Sequence, residues 1–246
     1  MKFLKMQAQG NDFIILSQNP DYPLNQLAKK LCNRHFGIGA DGLLILSQAK
    51  EADIKMRIFN ADGTEAEICG SALRCVAKYL NKKISFIETN VGIKKAEFEE
   101  YNRIKVNIGK GKFLQSEAID LYNQRGYYVS MGNPHFVIFT NDLGIADNIA
   151  DKIAKSDIFE NGVNIEFVKV ISKTEVKVRV FERGVGETLA CGTGASAIQF
   201  AGYQKGILQA SLLLHFKGGD LYTSIQNEQI YLSGSAEFVF SGEINL

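Results

Sequence analysis

Two cysteines stand in matching local settings far apart in the chain. Cys69 closes the segment FNADGTEAEICG, and Cys191 closes FERGVGETLACG. Each Phe is followed six residues on by Glu and ten on by Cys-Gly, which sets Phe59, Glu65, Cys69 and Gly70 against Phe181, Glu187, Cys191 and Gly192 at an offset of 122 (191 minus 69). The same offset carries Gly10 and Asn11 of GNDF onto Gly132 and Asn133 of GNPHF. Two separate motifs in the same order at one displacement argue for a duplicated architecture. Two thiols at equivalent positions suit proton transfer at a carbon acid. One, as thiolate, removes a proton; the other, as thiol, delivers one to the opposite face, so a stereocentre inverts without net oxidation.

The elements that must position these thiols can be read from periodicity. Ile54, Met56 and Ile58 alternate with Lys55 and Arg57, and Val176, Val178 and Val180 alternate with Lys177 and Arg179, the pattern of half-buried strands. Each strand runs into a repeated motif. After each Cys-Gly the period becomes helical, through Ala72, Leu73, Val76, Tyr79 and Leu80 in the first half and Ala195, Ile198, Ala201 and Gly202 in the second. Each cysteine therefore begins a helix, whose unpaired N–H groups carry roughly half a unit of positive partial charge and favour both a thiolate and an anionic ligand. Such a position can bring a thiol from ~8.5 into the range of about 3.5 to 7.5. Gly70, Gly192 and Gly194 let the backbone approach a carboxylate closely.

Two more helices are expected, across Leu24, Leu27, Ala28 and Leu31 and across Ile145, Ile149 and Ile153. The fold class is α+β: two pseudo-symmetric halves of mostly antiparallel strands wrapped around a central helix, with the active site in the cleft between them. The cut is placed near residue 115, giving residues 1–115 with Cys69 and 116–246 with Cys191. The closing strand around Phe238 to Ile244 is able to pair back with the first half.

Composition narrows the function classes. The chain has 246 residues, 46% apolar and 22% charged, with a formal charge of +1 and no basic run, so it lacks the footprint of a nucleic-acid binder. No stretch approaches the ~18 apolar residues of a membrane span, and the start MKFLKMQAQGNDF has no signal-peptide core, so a cytoplasmic protein without a membrane partner is expected. The 4 cysteines form no CxxC and the 3 histidines are scattered, so neither a metal site nor a disulfide framework is expected. No phosphate cradle argues for pyridoxal phosphate, and no cofactor is expected.

From QGNDF near the start to FVFSGEI near the end, the chain resembles the diaminopimelate epimerase family. The block ERGVGETLACGTGA over 182–195 is long and specific, and NADGTEAEICG and MGNPHF fall in the family's order. The resemblance implies a cofactor-independent isomerase, working as a homodimer, that converts LL-diaminopimelate to meso-diaminopimelate for lysine and peptidoglycan synthesis. It implies Cys69 and Cys191 as the catalytic pair, with His135 and Glu182 beside them. Asn11, Asn60, Asn133, Asn164, Glu182 and Arg183 would then contact the substrate, and Gly70 with Ser71 and Gly192 with Thr193 would cradle its carboxylate. Three departures stand out. CGSALRC has Ser71 and Ala72 where the family usually has Asn and Gly, Gly42 replaces a substrate-contacting Gln, and Phe240 replaces a Tyr of the dimer contact. A racemase of another amino acid and a non-catalytic amino-acid-binding relative are the alternatives.

Other residues of reactive type read as structural. Cys32 ends an apolar helical stripe and Cys75 lies within the helix that Cys69 opens, both fitting small core residues. His35 and His215 are given no role. Glu65 and Glu187 are expected to hold their loops through backbone N–H groups, and Asn11 and Asn133 also fit turn positions.

Overall fold

The apolar runs FIIL and LLIL in the first half are too continuous for a sheet with one wet face, and the structure buries them on both. In the computed structural model, which describes residues 1–245, the chain divides into two compact units. One comprises Met1–Val106 with Gly234–Leu246, the other Asn107–Ser233.

In the first unit β1 (Lys2–Ala8) turns through Gln9 and Gly10 into antiparallel β2 (Asn11–Leu16). Helix α1 (Leu24–Cys32) crosses over to β3 (Gly42–Ser47), parallel to β2, and β4 (Ile54–Asn60) returns antiparallel. A short β5 (Glu65–Ala66) folds back on β4 and leads to α2 (Gly70–Leu80). The chain leaves α2 as β6 (Ile84–Thr89), parallel to β4, and continues antiparallel through β7 (Gly92–Phe98) and β8 (Ile104–Gly109).

Leu27, Ala28 and Leu31 of α1 pack with Ile14, Leu16, Leu43 and Ile45 on one face of these strands. On the other side α2 packs against β1, β6 and β7. Residues Gly70 to Ala77 of α2 are all buried, so over two turns the helix is enclosed and not merely laid down on one apolar face. Its buried residues include two Ala, Gly, Ser and Cys, and small side chains let strands close around a helix axis.

The second unit repeats the plan. After β9 (Lys112–Phe113) and β10 (Ile119–Leu121), β11 (Gln124–Ser130) and β12 (Pro134–Phe139) form a hairpin through Gly132. A 3-10 turn, Leu143–Ile145, capped by the Asp142 side chain on Gly144 N, starts α3 (Ala146–Ala154). Next come β13 (Asn164–Ser172), parallel to β12, antiparallel β14 (Glu175–Glu182) and short β15 (Gly186–Thr188). Helix α4 (Gly192–Gln204) follows, then β16 (Ser211–Phe216), parallel to β14, and the antiparallel strands β17 (Gly219–Gln226) and β18 (Gln229–Gly234). The last strand, β19 (Glu237–Glu243), pairs antiparallel with β1 and so belongs to the first unit.

The repeat is tighter than the two motifs alone indicate. Leu24 and Cys32, the ends of α1, lie 122 positions before Ala146 and Ala154, the ends of α3. Phe13 faces Gly42 across β2 and β3, and His135 faces Asn164, each 122 further on, across β12 and β13. The division between the units falls after Val106, inside β8, where the sequence reading places a cut near 115. That strand is continuous through the boundary, so no loop marks it.

Candidate active site

Each cysteine sits at the N-cap of its unit's central helix with extended backbone, Cys69 at φ −145° and ψ 122° and Cys191 at φ −130° and ψ 120°. The first helical bonds run from Leu73 N to Cys69 O at 3.0 Å and from Ala195 N to Cys191 O at 2.9 Å. The sulfurs thus stand beside N–H groups of the first turn that have no intrahelical acceptor. The approach loops are held alike. Arg57 Nε donates to Glu65 Oε1 at 2.8 Å, and Arg179 Nε donates to Glu187 Oε1 at 2.7 Å. The two glutamates therefore secure their loops through arginine side chains, where backbone N–H partners are expected from sequence.

In the first unit, Gly10 adopts φ +85° at the β1–β2 turn, and Gly132 adopts φ +100° at the matching turn. The glycines take the left-handed backbone, leaving Asn11 and Asn133 to direct their amides elsewhere. Asn11 Nδ2 lies 3.9 Å from Cys69 Sγ. Gly70 and Ser71 form the buried first turn of α2, with Ser71 Oγ accepting from Arg74 Nη2 at 3.3 Å, so the serine hydroxyl faces the interior and its backbone is what remains for a ligand. Asn60 is exposed at the end of β4 and donates to Thr64 Oγ1 at 2.9 Å.

Arg74 was missed in the sequence reading. Its guanidinium is 0% exposed, donates from Nη2 to Gln9 Oε1 at 2.8 Å, and has no hydrogen-bond partner on Nε or Nη1. Burial brings it down to about 10, opposed by the charges of the Cys75 and Cys69 thiols. A cation inside α2 is hidden from periodicity because a lone Arg in an amphipathic helix normally reads as its wet face.

In the second unit the surroundings of the sulfur are acidic. Cys191 is buried and accepts from Gly194 N at 3.3 Å, with Thr193 Oγ1 at 3.4 Å. Burial first, then the negative charges of Glu182 and Glu166, push its thiol well above the ordinary range, against the hydrogen bonds from Thr193 and Gly194. Glu182 ends β14 half-buried, and its Oε1 accepts from Thr188 Oγ1 at 2.6 Å. His135 is fully buried, with Nδ1 2.6 Å from Glu166 Oε1 and Nε2 3.0 Å from Asn133 Oδ1. Asn133 in turn donates to Thr193 Oγ1 at 3.4 Å. Glu166 was also missed, although a single acid within the apolar run of NIEFV is a visible signal.

Asn164 is buried and engages backbone at both ends, donating to Pro134 O at 2.9 Å and accepting from Arg183 N at 3.0 Å. It ties β12 to the exit of β14 and so places Arg183. The Arg183 side chain is exposed, with Nη1 donating to Asn161 O at 2.7 Å. Gly192 and Thr193, half-buried, open α4. Cys69, Asn11, Gly70 and Ser71 thus gather at one helix start, and Cys191, Thr193, Gly192, Asn133, His135 and Glu182 around the other. Among the described residues no cluster of three or more His, Cys, Asp or Glu is disposed to hold a metal. Nor is any helix among them long and apolar enough to cross a membrane.

Comparison with known proteins follows this division. The family model described as diaminopimelate epimerase matches residues 3–114 and 127–239. The diaminopimelate epimerase of Carboxydothermus hydrogenoformans is 41% identical over 99% of this chain and 99% of its own. That of Methanococcus maripaludis is 39% identical over the full length of both. Among solved structures, the Bacillus anthracis phenazine biosynthesis protein of the PhzF family aligns over 100% of this chain and 99% of its own at TM-score 0.78 and 17% identity. A hydroxyproline epimerase from Agrobacterium vitis covers 98% of this chain and 91% of its own at TM-score 0.74 and 15% identity. At those identities the structures speak to the fold.

Proposed function

The chain belongs to the diaminopimelate epimerase family, and on that premise we propose that it interconverts LL- and meso-diaminopimelate, with Cys69 and Cys191 as base and acid and no cofactor. The observation that carries this reading is the recurrence, in one register, of a cysteine at the N-cap of an enclosed helix. In the reaction, one thiolate takes the α-proton, and the electron pair is left on a carbanion conjugated with the α-carboxylate. The other thiol then gives its proton to the opposite face, and the two sulfurs end with their protonation exchanged. N–H groups of Gly70, Ser71, Gly192 and Thr193 would hold the carboxylate as its charge grows. Arg183, Asn11, Asn60 and Asn133 offer donors for the rest of the substrate, and Asn164 acts by placing Arg183. Glu182 and His135 would adjust the protonation of the sulfurs.

Homodimerisation forms part of the proposal. On β19, Phe238, Val239 and Phe240 are 54%, 50% and 44% exposed in succession, which leaves an apolar edge on the first unit. A sedimentation mass of one chain would remove that part. The proposed setting is the cytoplasm, whose reducing conditions keep the cysteine pair as thiols.

The substrate is tested by incubating LL-diaminopimelate, meso-diaminopimelate and single-centred amino acids separately with reduced protein in deuterium oxide. Exchange at the α-carbon of diaminopimelate alone is expected. Exchange of a single-centred amino acid in preference would replace the substrate while retaining the chemistry.

A further inference from the structure

In the register of the repeat, His135 and Glu166 occupy the places that Phe13 and Leu44 hold in the first unit. All four are buried, but the second unit has exchanged two hydrocarbons for a histidine and a carboxylate joined at 2.6 Å. Burying such groups is unfavourable unless their hydrogen bonds compensate, so a pair present in one copy and dispensable in the other points to a task beyond packing.

Hydrogen placement identifies the task. Asn133 Oδ1 lies 3.0 Å from His135 Nε2, and an amide oxygen accepts only, so Nε2 carries a hydrogen. A hydrogen also lies between Nδ1 and Glu166 Oε1, 2.6 Å apart. With its oxygen so engaged, Asn133 presents Nδ2 to Thr193 Oγ1 at 3.4 Å. The threonine oxygen then accepts from the amide and keeps its own hydrogen for Cys191 Sγ, 3.4 Å away.

We propose that Glu166 is a positioning residue for Cys191: its bond to His135 Nδ1 fixes the imidazole, which sets the Asn133 amide and so aims the Thr193 hydroxyl at the reactive sulfur. The inference rests on the reading of Cys191 as a proton-transfer group and adds what orders its donors. In Glu166→Leu the ring loses the partner that fixes it, whereas in Glu166→Gln the side-chain amide can donate to a bare Nδ1 and leave the Nε2 hydrogen in place. Without that anchor the imidazole of Glu166→Leu no longer holds the Asn133 amide, and the Thr193 hydroxyl loses its fixed aim at the sulfur.

Imidazole nitrogen NMR on uniformly labelled protein, with His135 assigned by its loss in His135→Gln, reads this directly. Wild type and Glu166→Gln are both expected to show a protonated Nε2. In parallel, kcat of Glu166→Leu on diaminopimelate is expected to fall about tenfold or more with little change in KM, and Glu166→Gln to keep most of it. Adding Thr193→Val to Glu166→Leu is expected to bring little further loss, since the two act in series. A bare Nε2 in the wild type overturns the proposal without any variant having to fold, and so does Glu166→Leu with unchanged kcat. An inactive wild type would instead refute the substrate reading, while the nitrogen spectrum still decides the role of Glu166.

Discussion

Arg179 grips Glu187 at two points, Nε on Oε1 at 2.7 Å and Nη2 on Oε2 at 3.1 Å, and its guanidinium lies 5.5 Å from the Phe181 ring. Arg57, Glu65 and Phe59 repeat the arrangement 122 residues earlier, the guanidinium 4.9 Å from the ring. Both clamps brace the loops that end in Cys191 and Cys69. Arg179→Met is expected to lower stability by about 1 to 2 kcal/mol, the worth of charge-assisted hydrogen bonds at a half-covered site. Arg57→Met should cost less, because its side chain is 38% exposed against 15% for Arg179. Urea denaturation of both variants checks the order; equal loss, or none, would remove the clamps from the account.

Gly194 is the closest-packed point of the Cys191 helix start. A Cβ there would lie 2.7 Å from Glu166 Oε1 and 3.2 Å from Cys191 Cβ. Because that carboxylate is buried and tied to His135, it has nowhere to retreat. Gly194→Ala is expected to destabilise by about 1 to 3 kcal/mol and to slow turnover. A variant with wild-type stability and rate would mean the carboxylate is looser than described.

Thiol reactivity separates the four cysteines. Cys69 is half-buried, while Cys32, Cys75 and Cys191 are buried. Burial lifts Cys32 to about 12, pushes Cys75 higher, and holds Cys191 well up with help from Glu182 and Glu166. Peptide mapping after iodoacetamide at neutral pH is expected to find Cys69 alkylated first, Cys191 later, and Cys32 and Cys75 intact until unfolding. Glu182→Gln removes a negative charge beside Cys191, which favours its thiolate and should speed its alkylation. A slower reaction in that variant contradicts the electrostatic assignment.

Stability against pH has two opposed contributions. For Asp12, burial acts to raise the carboxyl, but the hydrogen bonds from Arg34 and Lys5 prevail and bring it from 3.8 to about 2. Its contribution is present above the unfolded value and is lost as pH falls towards about 2. His215 is raised from 6.5 by Glu175 and then Asp220, 2.9 and 2.7 Å away. Its contribution is complete below the unfolded value and is lost as pH rises through the folded one. Unfolding of His215→Gln and Asp12→Asn between pH 3 and 9 should flatten the alkaline and acid sides respectively; a flattening on the wrong side would reverse the assignment.

What was legible in the sequence follows from what is periodic. The alternation through Ile54–Ile58 and Val176–Val180 and the helices after Cys69 and Cys191 all stand where spacing puts them. So do α1 and α3, whose apolar stripes cover one sheet face each. The 122-residue offset was seen in two motifs and governs strand register as well. Enclosure was harder to read. Tyr79 belongs to the apolar stripe of α2 yet is 38% exposed, whereas Arg74 of the same helix is fully buried, because the surrounding strands and not the helix period decide what is dry. The partnership of His135 with Glu166 is a contact between neighbouring parallel strands. It becomes visible from sequence only if the whole second half is laid on the first, so that an acid falls opposite Leu44.

The central claim is that two thiols act from opposite faces of one α-carbon, and the distribution of deuterium at early time tests it most directly. Reduced protein is given LL-diaminopimelate in deuterium oxide, and both isomers are recovered before much conversion. A proton taken by one sulfur returns to the face it left, whereas the other sulfur delivers deuterium, so label is expected in the meso product and not in the recovered LL substrate. Equal labelling of substrate and product would mean that a single base serves both faces, and would contradict the account.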